Sequence, residues 1–139
     1  AARDTLRLEA GFPLYGHELT DEISPLQAGL QWCVALNKHD FIGKHSLLRE
    51  KQTGLTGKVR FYRAEGRRIP RSGMKVVQEG VEIGRVLSGG YSPSIQLPIG
   101  TVWTSSEYNN QLSSEVEVRG QPVEINYCKP VLRELRKQK

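Results

Sequence analysis

The chain of 139 residues contains only two cysteines, Cys33 and Cys128, which lie far apart in the sequence. Two thiols at this separation exclude a disulfide framework. The three histidines, His17, His39 and His45, show no metal-ligand spacing with cysteine, aspartate or glutamate. We therefore expect no metal site. Because both cysteines lie in apolar contexts, we expect buried free thiols and a reducing compartment.

Long apolar runs are also absent. No apolar segment approaches the roughly 18 to 20 residues that span a bilayer, and no charged start followed by a short apolar run indicates a signal peptide. The sequence therefore predicts no membrane segment. Its composition, 37% hydrophobic and 25% charged, is typical of a globular protein with one ordinary core or two small ones.

Aromatic residues are few, at 7%, although the net charge is +5. The positive charge concentrates at residues 67–71 and in the tail, residues 129–139. This clustered positive charge raises the possibility of a nucleic-acid partner. The basic residues are not interleaved with aromatics, however, and no known nucleic-acid-binding motif is present. We predict a solvated tail, or a tail that meets an anionic ligand, and no nucleic acid.

The residues before Gly11 predict a short helix. Gly11 ends this helix, and Pro13 prevents it from continuing. Leu6 and Ala10 are four residues apart and are expected to share one face. Glu9 lies in the last turn, where the helix dipole disfavours a carboxylate. The position of Glu9 is therefore electrostatically unfavourable unless another group interacts with its negative charge.

The next segment predicts mixed secondary structure. Residues 31–36 form an apolar run that is typical of a buried strand, with Trp32 in the core. Residues 41–52 predict an amphipathic helix with Ile42 and Leu47 facing inward. Glycines near residues 54–58 then mark the best candidate for a domain boundary.

From Lys58 onward the pattern changes to short alternating segments. Their spacing of about ten residues, with Gly, Pro, Ser and Asn between them, is typical of a small sandwich or barrel. Glu79-Gly80 and Arg119-Gly120-Gln121 predict hairpin turns. The expected fold class is α+β, mainly β. The segments predicted as strands are 59–62, 74–77, 81–87, 99–103, 115–119 and 122–127.

Four motifs carry a family resemblance. Residues 3–11 read Arg-Asp-x-Leu-Arg-Leu-Glu-Ala-Gly and precede Leu-Tyr-Gly; Ser24-Pro25, Asp-Phe-Ile-Gly at 40–43 and Ser-Gly-Gly-Tyr-Ser-Pro-Ser at 88–94 follow in order. Together they resemble the C-terminal portion of the aminomethyltransferases, the T-protein of the glycine cleavage system. Members of that family are much longer than this chain.

The resemblance implies two regions. Residues 1–56 would be the strand and helix remnant of a folate-binding domain, and residues 57–139 a small antiparallel C-terminal β-barrel with a basic tail. It also implies the reaction of the parent enzyme. An aminomethyl group arrives on the lipoyl arm of the H-protein, tetrahydrofolate attacks its methylene carbon, and ammonia leaves.

The same resemblance implies an aspartate that assists the attacking nitrogen of folate, and we expect it to precede residue 1. Asp4, Asp21 and Asp40 lie outside its motif, so we assign no catalytic residue. We expect the 139 residues alone to be inactive. The implied compartment is the bacterial cytoplasm or the mitochondrial matrix.

The resemblance implies three folate-binding residues. Glu9 would accept the adjacent amino and ring N–H donors of the pterin; the alternative is a surface glutamate paired with Arg3 or solvent. Lys38 would meet the glutamyl or benzoyl oxygens, and the alternative is a solvated lysine. Arg136, or Arg133 in its place, would lie near the anionic end of folate, and the alternative is a frayed basic tail.

The glycine-rich segment 88–94 lacks the Gly-Lys-Ser/Thr ending of a phosphate-binding loop, so we interpret it as a tight strand-to-turn connection. Two rival functions stay open. One is a non-catalytic folate-binding or assembly module, although the Lys-Gly-Cys-Tyr signature of such relatives is absent. The other is the folate module of a sarcosine or dimethylglycine oxidising enzyme, which has its flavin chemistry elsewhere.

Overall fold

A computed structural model describes residues 2–108 and 113–136. Helix α1 spans Ala2–Ala10, a 3-10 helix spans Gln31–Cys33, and α2 spans Lys44–Thr53. The strands are β1 (Gly57–Ala64), β2 (Lys75–Gln78), β3 (Val81–Ser92), β4 (Leu97–Ser105), β5 (Ser114–Val118) and β6 (Gln121–Cys128). Helix α3, Val131–Leu135, follows the last strand.

The six strands form a closed barrel in the order β1-β4-β3-β2-β5-β6. Every ladder is antiparallel, and β1 closes the barrel by pairing with both β4 and β6. All six segments predicted as strands are strands, and the predicted fold class is confirmed. The division into residues 1–56 and 57–139 stays a prediction.

The barrel interior holds the main core. Inward positions alternate along the strands, as Val116 and Val118 of β5 show, because successive side chains point to opposite faces. Tyr62 is fully buried, and its hydroxyl donates to the carbonyl of Ser88 at 3.4 Å. The buried hydrophobic residues of this core are Tyr62, Ala64, Val76, Ile83, Val86, Val102, Val116, Val118, Val123 and Ile125.

Both predicted hairpin turns are confirmed. Glu79 and Gly80 have φ values of 50° and 80°, and Arg119 and Gly120 have 55° and 73°. Two consecutive residues with positive φ are the signature of a mirror-image turn, whose twist matches that of the flanking strands.

The prediction of a strand at residues 31–36 is wrong. Residues 31–33 form a single 3-10 turn, Trp32 is 78% exposed, and Cys33 is exposed. The physical reason is the closure of the barrel, which leaves no free edge for another strand. Cys128 is half-buried, so the expectation of two buried thiols is also wrong.

Helix α2 is confirmed but begins later than predicted, because Gly43 at its N-cap has φ of 89°. Ile42 therefore precedes the helix and is fully exposed rather than inward. Leu47 and Leu48 are half-buried, as an amphipathic helix on a protein surface requires.

Helix α1 packs on the outside of the barrel against β3, β4 and α3. Leu8 is buried there with Ile99 and Val131 in a second, smaller core. The predicted end of the helix is confirmed, since Gly11 has φ of 79°. Its buried face is centred on Leu8 and Glu9, whereas Leu6 is exposed.

The strand-to-turn connection predicted at residues 88–94 is confirmed, since β3 ends at Ser92 and a turn follows; the glycine pair Gly89 and Gly90 lies inside the strand. A Cβ on Gly89 would lie 1.8 Å from the carbonyl oxygen of Pro70. The absent side chain thus lets the loop after β1 pass directly over the strand.

None of the helices in the described ranges is long and apolar enough to cross a membrane.

Replacing Gly89 by alanine is expected to destabilise the fold by about 1–3 kcal/mol, because the new methyl group meets backbone that cannot move aside. The matched control is Gly90→Ala, whose Cβ would lie 3.3 Å from a flexible Leu8 side chain. Urea unfolding of both variants gives the comparison. Equal stabilities would contradict the close approach at Gly89.

Candidate functional site

Arg7 joins the first helix to the barrel. Its side chain is 11% exposed and donates from Nε to Asp4 Oδ1 at 2.6 Å, from Nη1 to Glu18 Oε2 at 2.9 Å, and from Nη2 to Ser88 Oγ at 3.0 Å. A guanidinium group offers five N–H donors in a rigid fork, which suits this divergent set of acceptors. Arg7 therefore fixes α1 relative to both the following loop and β3.

Glu18 is the buried partner of Arg7, with 2% of its side chain exposed. Its Oε2 also accepts the backbone N–H of Leu14 at 2.9 Å, and its Oε1 accepts the hydroxyl of Thr101 at 2.5 Å. Both carboxylate oxygens are thus engaged. The loop after α1 is held to β4 through this one side chain.

Glu9 is also buried, with only 5% of its surface exposed. The hydroxyl of Ser92 donates to Glu9 Oε1. Ser94 donates from its backbone N–H to Oε1 at 3.2 Å and from its hydroxyl to Oε2 at 3.0 Å. The alternative of a surface glutamate paired with Arg3 is therefore wrong.

The environment of Glu9 favours its ionised form. Burial alone would raise the pKa of this carboxyl, but the hydrogen bonds from Ser92 and Ser94 together outweigh burial and hold the pKa below the ordinary value. The same donors offset the unfavourable position at the C-terminal end of the helix. At neutral pH the helix presents a carboxylate.

The other two predicted folate-binding residues lie elsewhere. Lys38 is exposed in the turn before α2, where its carbonyl accepts the Lys44 ammonium at 2.5 Å. Arg136 is exposed at the C-cap of α3. Among the described contacts, neither side chain bonds to Glu9. The roles assigned to all three residues stay predictions.

A cleft of about 420 Å³ opens beside the end of α1. Aromatic side chains of Phe12, Trp32 and Tyr127 line it together with the cations Arg60 and Arg133. Arg60 lies over the ring of Tyr127 at 5.3 Å, a cation–π geometry. Of the two tail arginines, Arg133 is the one that lines this cleft.

Sequence reasoning missed the parts of the site that come from distant strands. Ser92 and Ser94 belong to a motif that the sequence analysis uses for the family resemblance and for turn geometry but not as hydrogen-bond donors, and Trp32 is predicted there to lie in the core. A serine pair flanking a proline was the available signal for the donors of Glu9. Nothing in the local sequence marks Arg60 as part of a cleft.

Among residues 2–108 and 113–136, no three His, Cys, Asp or Glu side chains come together in a group that could hold a metal ion.

Fold and site together define a small closed antiparallel β-barrel protein whose leading helix presents a buried, ionised carboxylate. Residues 59–132 match the glycine cleavage T-protein C-terminal barrel domain, and residues 1–38 match the GCVT N-terminal domain. The chain belongs to the glycine cleavage T-protein family.

Relatives and a solved structure agree with this membership. The chain is 44% identical over 117 residues to an aminomethyltransferase of Thermoanaerobacter pseudethanolicus, covering 84% of this chain and 32% of the relative. It is 44% identical over 131 residues to a probable aminomethyltransferase of Thermococcus gammatolerans, covering 87% and 33%.

The crystal structure of the glycine cleavage system aminomethyltransferase T from Bartonella henselae superposes with a TM-score of 0.86 at 29% identity, covering 94% of this chain and 37% of that one. The chain thus spans about a third of the length of the proteins that it matches.

Replacing Glu18 by glutamine is expected to destabilise the fold by about 3 kcal/mol, because the guanidinium of Arg7 loses its buried anionic partner and keeps only the half-exposed Asp4. The matched control is Glu22→Gln, which removes an exposed pair with Arg85 and is expected to change stability by less than about 1 kcal/mol. Urea unfolding measures both. Similar losses in the two variants would contradict the central place of the Arg7–Glu18 pair.

The ionisation of Glu9 predicts a pH dependence of stability. A carboxyl whose pKa is lower in the folded than in the unfolded chain stabilises the fold above its unfolded pKa, and this contribution disappears as the pH falls through the folded pKa. We expect the stability difference between the wild type and Glu9→Gln to be larger at about pH 7 than at about pH 3. Unfolding at both pH values provides the measurement, and a constant difference would contradict it.

Proposed function

We propose that this chain supplies one wall of the folate pocket of an aminomethyltransferase. The complete enzyme would transfer the one-carbon unit of a lipoyl-bound aminomethyl group to tetrahydrofolate, with release of ammonia. Membership of the T-protein family supports this assignment, because the relatives that the chain matches are named aminomethyltransferases.

The observation that carries the proposal is the buried, ionised carboxylate of Glu9. A carboxylate can accept two adjacent N–H donors as a charge-assisted pair, and the pterin edge of folate offers an amino group beside a ring N–H. Glu9 is held in place by donors from β3 and the turn that follows it. A prepositioned acceptor loses little freedom when a ligand binds.

The cleft beside α1 supports the same ligand class. Folate is aromatic at one end and anionic at the other. The lining of the cleft does not include Glu9, but it offers the aromatic side chains of Phe12 and Trp32 together with the cation of Arg133. Arg133 is therefore better placed than Arg136 to meet an anionic group. Lys38 is proposed as a second cation, in the turn that leads to α2.

The partner and the compartment are parts of the same proposal. The lipoyl carrier, the H-protein, would meet the complete enzyme, and the compartment would be the bacterial cytoplasm or the mitochondrial matrix. We expect the chain alone to bind tetrahydrofolate weakly and to show no transferase turnover, since it spans about a third of its relatives. Measurable turnover by these 139 residues would contradict that expectation.

Calorimetric titration with tetrahydrofolate tests the site. We expect saturable binding to the wild type and a loss of about tenfold or more in Glu9→Gln, because a hydrogen bond to a charged acceptor contributes about 1.5–3 kcal/mol. The control Glu115→Gln alters an exposed carboxylate on β5 and should bind as the wild type does. Equal affinity in the Glu9 variant, or no binding to the wild type, would contradict the proposal.

A further inference from the structure

Ser94 engages both oxygens of the Glu9 carboxylate. Its backbone N–H donates to Oε1 at 3.2 Å, and its hydroxyl donates to Oε2 at 3.0 Å. Two donors from one residue, one on each oxygen, reproduce the pattern of a planar ligand edge that carries an amino group beside a ring N–H. In this structure the chain itself fills the position that such an edge would take.

Ser92 plays a different part. It is fully buried at the end of β3 and gives a single hydrogen bond, to Oε1. Because Ser92 and the Ser94 N–H both donate to Oε1, its two acceptor positions are filled; about one position stays open, on Oε2. A ligand with two adjacent donors therefore cannot reach both oxygens while Ser94 stays in place.

The two serines also differ in how readily they can leave. Ser94 is exposed, in the turn between β3 and β4, so water can satisfy its N–H and hydroxyl once they are released. Ser92 is surrounded by protein, and releasing its hydroxyl would leave a buried polar group unpaired. The N–H and hydroxyl of Ser94 are therefore the donors that a ligand can replace on Glu9.

We infer that Ser94 is a specificity-determining residue that occupies the two-donor position on Glu9 until a ligand with two adjacent N–H donors displaces it. Ser92 is the positioning residue that holds the carboxylate during this exchange. The inference rests on the proposed function, which makes Glu9 a ligand contact.

The exchange explains how a ligand would be selected. A ligand with two adjacent donors replaces both hydrogen bonds of Ser94, so the number of charge-assisted bonds on Glu9 is conserved. A ligand with one donor replaces one bond and leaves the other acceptor position without a partner, which is costly at a buried charge. Ser94 therefore selects against single-donor ligands.

Titration of three serine variants tests this inference. The probes are tetrahydrofolate and isocytosine, a small pyrimidinone with an amino group beside a ring N–H. Ser94→Ala removes one competing donor and should bind both probes about three- to tenfold more tightly than the wild type. Ser92→Ala loosens the carboxylate and should bind them about tenfold more weakly. The control Ser72→Ala, at an exposed turn, should match the wild type.

A pyrimidinone without the amino group supplies the specificity readout. We expect the preference for isocytosine over this analogue to be larger in the wild type than in Ser94→Ala. The inference is overturned if Ser94→Ala binds isocytosine no more tightly than the wild type, or if neither protein binds it.

Failure of the inference is distinguishable from failure of the proposed function. Tetrahydrofolate binding that is weakened in Glu9→Gln but unchanged in Ser94→Ala would keep the function and overturn the inference. Isocytosine binding that tightens in Ser94→Ala without any binding of tetrahydrofolate would support the inference and overturn the function.

Discussion

The buried ion pair between Arg7 and Glu18 is the interaction on which the site depends. It joins α1, the loop after it, β3 and β4 through a few hydrogen bonds, with both charges largely removed from water. Glu9 lies two residues beyond Arg7 on the same helix, so the pair also fixes the position of the candidate ligand contact. A charged pair in such a place defines one arrangement of its elements, because Glu18 without Arg7 would be a buried unpaired charge.

Glu9 shows how a helix can present a carboxylate at its unfavourable end. The last turn of α1 supplies free carbonyl groups rather than N–H donors, so stabilisation has to come from another element. The end of β3 and the turn after it provide three donors. The helix therefore contributes the carboxylate, and the barrel contributes the hydrogen bonds that stabilise its charge. A buried, ionised hydrogen-bond acceptor at Glu9 thus requires both the helix and the barrel.

Much of the fold could be predicted from local pattern. The alternation of β5 and the Glu79-Gly80 and Arg119-Gly120 turns carry short-range information that the structure bears out. Exposure of Trp32 was not predictable, because it follows from the closure of the barrel, a property of pairings far along the chain. Burial of Glu9 could not be predicted from the local sequence either, since its donors Ser92 and Ser94 lie 83 and 85 residues away.

These long sequence separations also affect the order in which the molecule forms and opens. The barrel ladders join residues 57–128 to one another, whereas the hydrogen bonds of Arg7, Glu9 and Glu18 to the barrel span 81 to 85 residues. Closing such long loops is favourable only once the barrel surface exists. We therefore expect residues 2–20 to behave as a cooperative unit that can detach and redock while the barrel stays folded. A molecule that bound Glu9 in place of Ser94 would replace hydrogen bonds that join the leading helix to the barrel. Occupancy of the site and amide protection of the leading helix would therefore be coupled.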